Sequence, residues 1–140
     1  MQNRLLTVAL VLATVVVGVA GCSSAQTTPR PGARLTIDGA THTTRPAACR
    51  QDQMYRTISI PDRGGEVEAV VLLSGYRAMP QWVKIRNIDG FNGSFWRGGV
   101  GDARVDLNND AYTITGTAYG INSSNPNKVV NTDFKIVAEC

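Results

Sequence analysis

The chain has 140 residues, with 14 Lys or Arg, 11 Asp or Glu, and a formal net charge of +3 at pH 7. The charges are scattered and form no basic run, so the electrostatic footprint of a nucleic-acid-binding protein is absent and no nucleic acid partner is predicted. Beyond its N-terminal segment, the chain is long enough for one small domain with a single modest core.

The first segment is typical of an export signal. A short, positively charged start ends in Arg4, and an apolar run follows from Leu5 to Ala20. This run is shorter than the ~20 residues that span a bilayer core, and small residues end it. We therefore expect residues 1–21 to be a cleaved signal peptide. The alternatives are a signal peptide that ends near a Cys by chance and an uncleaved anchor helix.

The end of this run reads Val19-Ala20-Gly21-Cys22 and resembles the lipobox of bacterial lipoprotein signal peptides. In that class of protein, diacylglycerol is added to the Cys thiol and the preceding peptide bond is then cut. The resemblance implies that Cys22 is lipidated and holds the chain on the extracytoplasmic face of the cell membrane. Two acyl chains give stable anchoring, whereas a single chain gives only marginal binding.

A polar segment follows the lipidation site. Residues 23–33 (SSAQTTPRPGA) contain no large apolar side chain, and such a segment does not bury enough surface to fold. We expect residues 22–33 to be a flexible tether and residues 34–140 to form a single β-rich domain. Thr27 and Thr28 precede Pro29 and are candidate O-glycosylation sites, although an unmodified tether is equally compatible with the sequence.

Short strands separated by turn residues are predicted along the rest of the chain. Leu35-Thr36-Ile37 alternates and breaks at Asp38-Gly39, and Tyr55–Ile60 alternates and ends at Pro61. The more continuous apolar run Val67–Leu73 is compatible with a buried strand or with one to two turns of helix.

The second half of the chain continues this pattern. Trp82–Ile88 alternates strictly, and Asp89-Gly90 predicts a hairpin turn into a strand at Phe91–Trp96. Further strands are predicted at Asp102–Leu107, Tyr112–Ala118 and Thr132–Glu139. This spacing is typical of a mainly β fold, and we predict a small antiparallel β-sandwich or open barrel with at most one short helix.

The cysteines divide into two groups. Cys22 is assigned to the lipid, which leaves Cys49 and Cys140 in an exported chain. An even number of cysteines outside the cytosol indicates a disulfide, so we predict a bond between Cys49 and Cys140. A metal pair or a reactive thiol is the alternative, but His42 is the single histidine and a structural zinc site takes four ligands. No metal site is predicted.

Several motifs follow one another in an order found in a known family. After the lipobox and the tether come Ile37-Asp38-Gly39, Cys49, Asn87-Ile88-Asp89-Gly90, YTITGTAYG at residues 112–120, Asn125-Pro126, Phe134-Lys135-Ile136 and Cys140. Together they resemble the mycobacterial lipoprotein antigen family typified by the nineteen-kilodalton antigen, over nearly the whole chain. The resemblance implies a surface-exposed envelope lipoprotein that host innate receptors recognise through the acylated Cys, with sugars on Thr in the tether.

No catalytic constellation is predicted, and no cofactor. His42 is expected to lie in a Thr-rich loop, and the chain has no Gly-x-Ser-x-Gly motif to supply a nucleophile. Asp106–Asp110 begins like a calcium loop, but Ala111 and Thr117 stand where such a loop needs Gly and Glu. We therefore expect a hairpin turn there and a protein that is not an enzyme.

Aromatic side chains cluster in the middle of the chain. Trp82, Phe95 and Trp96 either fill the core or form a surface for a ligand or partner. Phe95 and Trp96 are neighbours on a predicted strand, so one of them should face outward. This cluster supports an alternative function, a binding module that holds an envelope lipid or glycolipid in an apolar pocket of the β domain.

Overall fold

The computed structural model describes residue 21 and residues 28–140, so the predictions for Cys22 and Thr27 lie outside the described residues. In this part of the chain no residue is helical, and no helix is long and apolar enough to cross a membrane. The strands are β1 Arg34–Ile37, β2 Ala40–Thr43, β3 Ala48–Asp52, β4 Tyr55–Asp62, β5 Gly65–Ser74, β6 Arg77–Ile88, β7 Phe91–Trp96, β8 Asp102–Asn108, β9 Ala111–Asn122 and β10 Asn125–Glu139.

The strands form one antiparallel sheet in the order β2-β1-β10-β9-β7-β6-β5-β4-β3, and β8 also pairs with β9. The two end strands of this order, β2 and β3, do not pair with each other, so the sheet is not closed. The predicted mainly β, antiparallel fold is confirmed. Of the two predicted architectures, the open barrel describes it better than two separate sheets.

A single core lies on the inward side of the sheet. Alternate residues of the strands point to this side, as a strand's period of two requires. One hydrophobic cluster includes residues from β1, β4, β5, β6, β7, β9 and β10, so the sheet is rolled around it. Its most buried large members are Leu35, Ile58, Ile60, Val67, Val71, Val83, Ile85, Ile88, Ile114 and Ile136.

The ambiguous run Val67–Leu73 is part of a strand, β5, and not a helix. Val67, Ala69 and Val71 point into the core, whereas Val70 points outward and still keeps only 9% exposure. Val70 is the register partner of Trp82 on β6. The run is therefore apolar on both faces of the strand, and its outward residues Val70 and Leu72 are shielded from solvent only in part.

Pro61 does not end its strand, contrary to the sequence prediction, because β4 continues to Asp62 and Pro61 pairs with Glu66 of β5. Proline lacks an N–H group and is confined to positions where a neighbouring strand does not need one. The pairing of β3 with β4 stops at Ala48 and Ser59, short of Pro61. The missing donor therefore breaks no β3–β4 hydrogen bond.

One edge of the long strand β9 is shared by two partners. β8 pairs with β9 from Ala111 to Thr117, and β7 pairs with it from Tyr119 to Asn122. Gly116 and Gly120 stand where these partner backbones come close: a Cβ atom at Gly116 would lie 1.9 Å from the Asp102 carbonyl oxygen, and one at Gly120 would lie 2.0 Å from that of Asn92. The glycines of the YTITGTAYG motif therefore permit the close approach of β8 and β7 to β9.

The packed region begins slightly before the predicted boundary at residue 34. Ala33 is 1% exposed, its N–H donates to the carbonyl oxygen of Arg45 at 3.2 Å, and its own carbonyl accepts from the N–H of Thr44 at 2.8 Å. The last residue assigned to the tether thus belongs to the domain.

The predicted disulfide is present. Cys49 on β3 is bonded to Cys140, which directly follows β10, across a sequence separation of 91 residues. The bond fastens the β3 edge of the sheet to the end of the chain.

Candidate functional site

The outward side of β5, β6 and β7 carries two neighbouring tryptophans. Trp82 on β6 is the register partner of Trp96 on β7, and Val70 on β5 is the register partner of Trp82. Trp82 is half-buried, whereas Trp96 keeps 54% exposure. Directly opposed residues have Cβ atoms about 4.5–5.5 Å apart, so the two indoles occupy adjacent positions on the surface. We call Val70, Trp82 and Trp96 the tryptophan row.

Phe95 lies on the other side of the sheet. It is 4% exposed and belongs to the hydrophobic core. The prediction that Phe95 and Trp96 face opposite sides is confirmed, because successive residues of β7 alternate between the two faces. The structure therefore brings Trp82 and Trp96 together and separates Phe95 from both.

A second row of side chains runs beside the tryptophan row. Its members are cross-strand partners in sequence, each paired with the next: Ser59, Glu68, Lys84, Ser94 and Tyr119. We call them the polar row. Residues two apart on a strand share a face, which places Lys84 next to Trp82 and Ser94 next to Trp96. The Ser59 hydroxyl donates to Glu68 Oε2 at 3.4 Å, and Tyr119 is 48% exposed.

The two rows meet in an open groove beside the edge strand β3. The groove has a volume of about 350 Å³ and is lined by Ala48, Cys49, Arg50, Thr57, Ser59, Glu68 and Trp82. An indole thus borders hydroxyl groups, a carboxylate and a guanidinium group within one small concavity. This combination offers an apolar face with hydrogen-bond donors and acceptors at its border.

Two other grooves have a different character. The larger, of about 780 Å³, lies between the β2–β3 connection and the β4–β5 hairpin, and its lining residues include Arg45, Asp62 and Arg63. A groove of about 390 Å³ between β6 and β8 is bordered by the exposed Arg97 and Arg104. Its other lining residues include Ala78, Met79, Pro80, Phe95, Ala103 and Val105. Phe95 is therefore a wall of this groove and not part of the tryptophan surface.

His42 lies in strand β2 and not in a loop, contrary to the sequence analysis. Its Nε2 is 2.6 Å from Asp89 Oδ2, so the ring N–H donates to that carboxylate, and its Nδ1 is 3.5 Å from Asp62 Oδ2. The imidazole is 16% exposed. Both ring nitrogens face carboxylates, so the histidine fastens β2 to β4 and to the β6–β7 turn. These contacts join residues that are distant in sequence, so no local sequence pattern predicts them.

The other candidate positions are placed as follows. Asp106–Asp110 belongs to the β8–β9 hairpin, in which Asn109 has a positive φ of 53°. Cys49 and Cys140 form the disulfide, and Thr28 is exposed. In the described part of the chain, no three His, Cys, Asp or Glu side chains come close enough to hold a metal ion.

Comparison with known proteins gives consistent matches. The family model described as Mycobacterium 19 kDa lipoprotein antigen matches residues 26–140. The chain is 62% identical to the lipoprotein LppE of Mycobacterium tuberculosis over 140 residues, which covers all of both chains. It is 35% identical to a lipoprotein of Mycobacterium avium subsp. hominissuis, over all of this chain and 97% of that protein. It is 36% identical to the lipoprotein LpqH of Mycobacterium avium over 73 residues, about half of each chain.

Proposed function

Because the chain belongs to the Mycobacterium 19 kDa lipoprotein antigen family, we propose that it is a surface-exposed envelope lipoprotein anchored by acyl groups on Cys22. The observation that carries the proposal is the motif Val19-Ala20-Gly21-Cys22 at the end of an apolar run, with a polar segment directly after it. The thiol of Cys22 accepts diacylglycerol, and two acyl chains suffice for stable attachment. Residues 1–21 are removed as the signal peptide.

The tether places the β domain close to the membrane on its extracytoplasmic side. The packed region starts at Ala33, so about ten residues separate it from the lipid. At ~3.1 Å per residue for an extended, proline-containing segment, the domain stays within ~30 Å of the bilayer. In this position the outward surfaces of the sheet are displayed to the exterior as an antigen.

The acylated Cys22 is also the group that host innate receptors recognise. The test compares the lipidated protein with Cys22→Ala in a receptor-reporter cell assay. Stimulation is expected to be lost in the variant, while circular dichroism and a non-reducing gel show an unchanged β fold and disulfide. Full stimulation by Cys22→Ala would contradict receptor recognition through the lipid.

Mass spectrometry of the mature protein tests the anchor itself. We expect an N-terminal residue 22 that carries acyl groups, and sugars on Thr27 or Thr28 would appear as hexose mass increments removed by Thr→Ala substitution. A mature chain that begins elsewhere or lacks acyl groups would overturn the anchor.

A second candidate function is a carrier for an envelope lipid or glycolipid, and the groove between β6 and β8 is the observation that favours it. Six lining residues are apolar, and two exposed arginines border it. If an acyl chain lies there, lipid should co-purify with the Cys22→Ala chain, and Ala103→Trp should reduce the amount by filling the groove. Leu107→Trp is the matched control, because Leu107 lies on the same strand but does not line the groove. A Cys22→Ala chain that purifies free of lipid would exclude the carrier.

A further inference from the structure

The tryptophan row is more exposed than packing of the core requires. The inward side beneath it is already filled by Val83, Ile85 and Phe95, each at most 4% exposed. Trp96 nevertheless keeps 54% and the nearby Tyr119 48% of its surface in solvent. Large apolar side chains grouped on the surface of a small domain mark interaction sites more often than single exposed ones do.

We propose that this outward side, with Trp82, Trp96 and the groove beside β3 at its centre, binds a glycan built of pyranose units. The proposal goes beyond the membrane anchor, because the surface is formed by the folded domain and does not involve Cys22. It also concerns a different surface from the groove between β6 and β8.

The tryptophan row supplies what the apolar face of a sugar ring needs. A pyranose presents C–H groups on one face and hydroxyl groups around its edge, so its apolar face stacks on the electron-rich face of an indole. Trp82 and Trp96 stand on adjacent strands, which lie about 4.8 Å apart. Two neighbouring platforms suit a chain of sugar units better than a single monosaccharide.

The polar row supplies what the hydroxyl edge needs. The Glu68 carboxylate accepts hydrogen bonds, the Lys84 ammonium group donates them, and the hydroxyls of Ser59 and Ser94 do both. All four occupy consecutive cross-strand positions, and Lys84 and Ser94 are the two beside the tryptophans. Thr57 and Arg50, which line the groove beside β3, provide further hydrogen-bond donors there. A ligand lying along the tryptophan row would meet these groups at its edge.

The charges on the face favour a glycan over other occupants. Glu68 and Lys84 are opposite charges in direct register, so the polar row has no excess of either sign. Arg50 in the groove is one further cation, but a polyanion would still gain little there, because its binding rests on several cationic residues that neutralise phosphates. Insertion into a bilayer would carry Glu68 and Lys84 toward hydrocarbon, which is costly for charged groups. An uncharged, hydroxyl-rich ligand meets neither obstacle.

The test uses the full mature chain with Cys22→Ala, so that no acyl group confuses the result. Cellohexaose, maltohexaose and mannohexaose are titrated separately, and amide and indole N–H shifts are followed by NMR. At least one hexasaccharide should shift the signals of β5, β6 and β7, including the indole N–H of Trp96. Trp96→Ala should then weaken binding about tenfold or more, as removal of an aromatic anchor does. Trp82→Phe, which keeps a ring in the half-buried position, should weaken it less.

Tyr76→Ala provides the matched control. Tyr76 is fully exposed in the turn between β5 and β6, outside both rows, and its substitution should leave binding unchanged. Absence of shifts with all three hexasaccharides would overturn the proposal, as would binding that Trp96→Ala does not weaken. Sedimentation and flotation with phosphatidylglycerol vesicles distinguish the other occupants. A dimer or vesicle association that depends on Trp96, without glycan binding, would assign the face to a second copy or to the membrane.

Discussion

The two end strands of the open sheet are fastened by different chemistry. The β3 edge is held covalently, because Cys49 is bonded to Cys140 beyond the end of β10. The β2 edge is held by a hydrogen bond from His42 to Asp89 and by a contact with Asp62. A sheet that does not close lacks the last row of backbone hydrogen bonds that would seal a barrel. Here the core and these two fastenings keep it rolled, and the covalent bond is expected to stabilise the sheet more than the hydrogen bond does.

Loss of the disulfide should have the largest effect. Cys49→Ser combined with Cys140→Ser removes a crosslink that spans 91 residues, which in the chain-entropy model lowers the free energy of unfolding by about 4–5 kcal/mol. Urea unfolding followed by circular dichroism measures the change. The wild-type protein under reducing conditions should lose a similar amount. A loss below about 1 kcal/mol would mean that the β3 edge is held by other contacts.

A substitution on the shared strand β9 tests whether the close approach of β8 to β9 also stabilises the sheet. In Gly116→Val the added side chain meets the backbone of Asp102 and Ala103, so β8 must move away. Overpacking of this kind costs typically 1–3 kcal/mol, measured as a shift in the urea midpoint. Thr115→Val, one residue away and on the outward side, should shift the midpoint far less. Equal stability of Gly116→Val and wild type would show that β8 adapts freely.

The β2 fastening should contribute less than the disulfide. His42→Ala removes one hydrogen bond to a carboxylate and one longer contact, and we expect a loss of about 1–2 kcal/mol in the free energy of unfolding. Thr43→Ala, at an exposed neighbouring position of β2, is the control and should change stability by less than about 0.5 kcal/mol. If both variants behave alike, His42 does not hold the edge.

The smallest expected effect is the coupling between the two fastenings. They share no residue, and distant substitutions are additive within about 0.3–0.5 kcal/mol. The triple variant Cys49→Ser, Cys140→Ser, His42→Ala should therefore lose the sum of the two separate losses. A measured coupling above about 1 kcal/mol would show that the two edges respond to each other through the core.

The two fastenings also differ in how far the sequence predicts them. The disulfide prediction follows from the number of cysteines in a chain expected to be exported, and it requires no knowledge of the fold. The His42 contact requires β2 to lie against the end of β4 and the β6–β7 turn, where the partners Asp62 and Asp89 are 20 and 47 residues away in sequence. No local pattern contains that information. The sequence shows that His42 is present but does not show that it makes a structural contact.

Some strands and turns can be predicted from their local sequence alone. Alternation identifies Tyr55–Ile60 and Trp82–Arg86, because a strand with one buried face must repeat every two residues. The strict alternation predicted up to Ile88 is wrong at its end, because the register shifts at Asn87, whose φ is 47°, and Ile88 is buried with Val83 and Ile85. Asp89-Gly90 makes the predicted turn, since both residues adopt positive φ values, 50° and 78°, that this pair tolerates well. The edge strands β2 and β3 lack a clear alternation, because they are largely exposed and exist through pairing with a neighbour.

The candidate site, too, is predicted by the sequence only in part. The sequence by itself determines that Trp82, Phe95 and Trp96 are available, and that Phe95 and Trp96 point to opposite sides of one strand. Only the tertiary structure decides that Trp82 and Trp96 stand side by side with Glu68 and Lys84 next to them, because cross-strand register is set by the pairing of β5, β6 and β7. Periodicity is a property of neighbouring residues, whereas the partner across the sheet is chosen by the burial of the whole core.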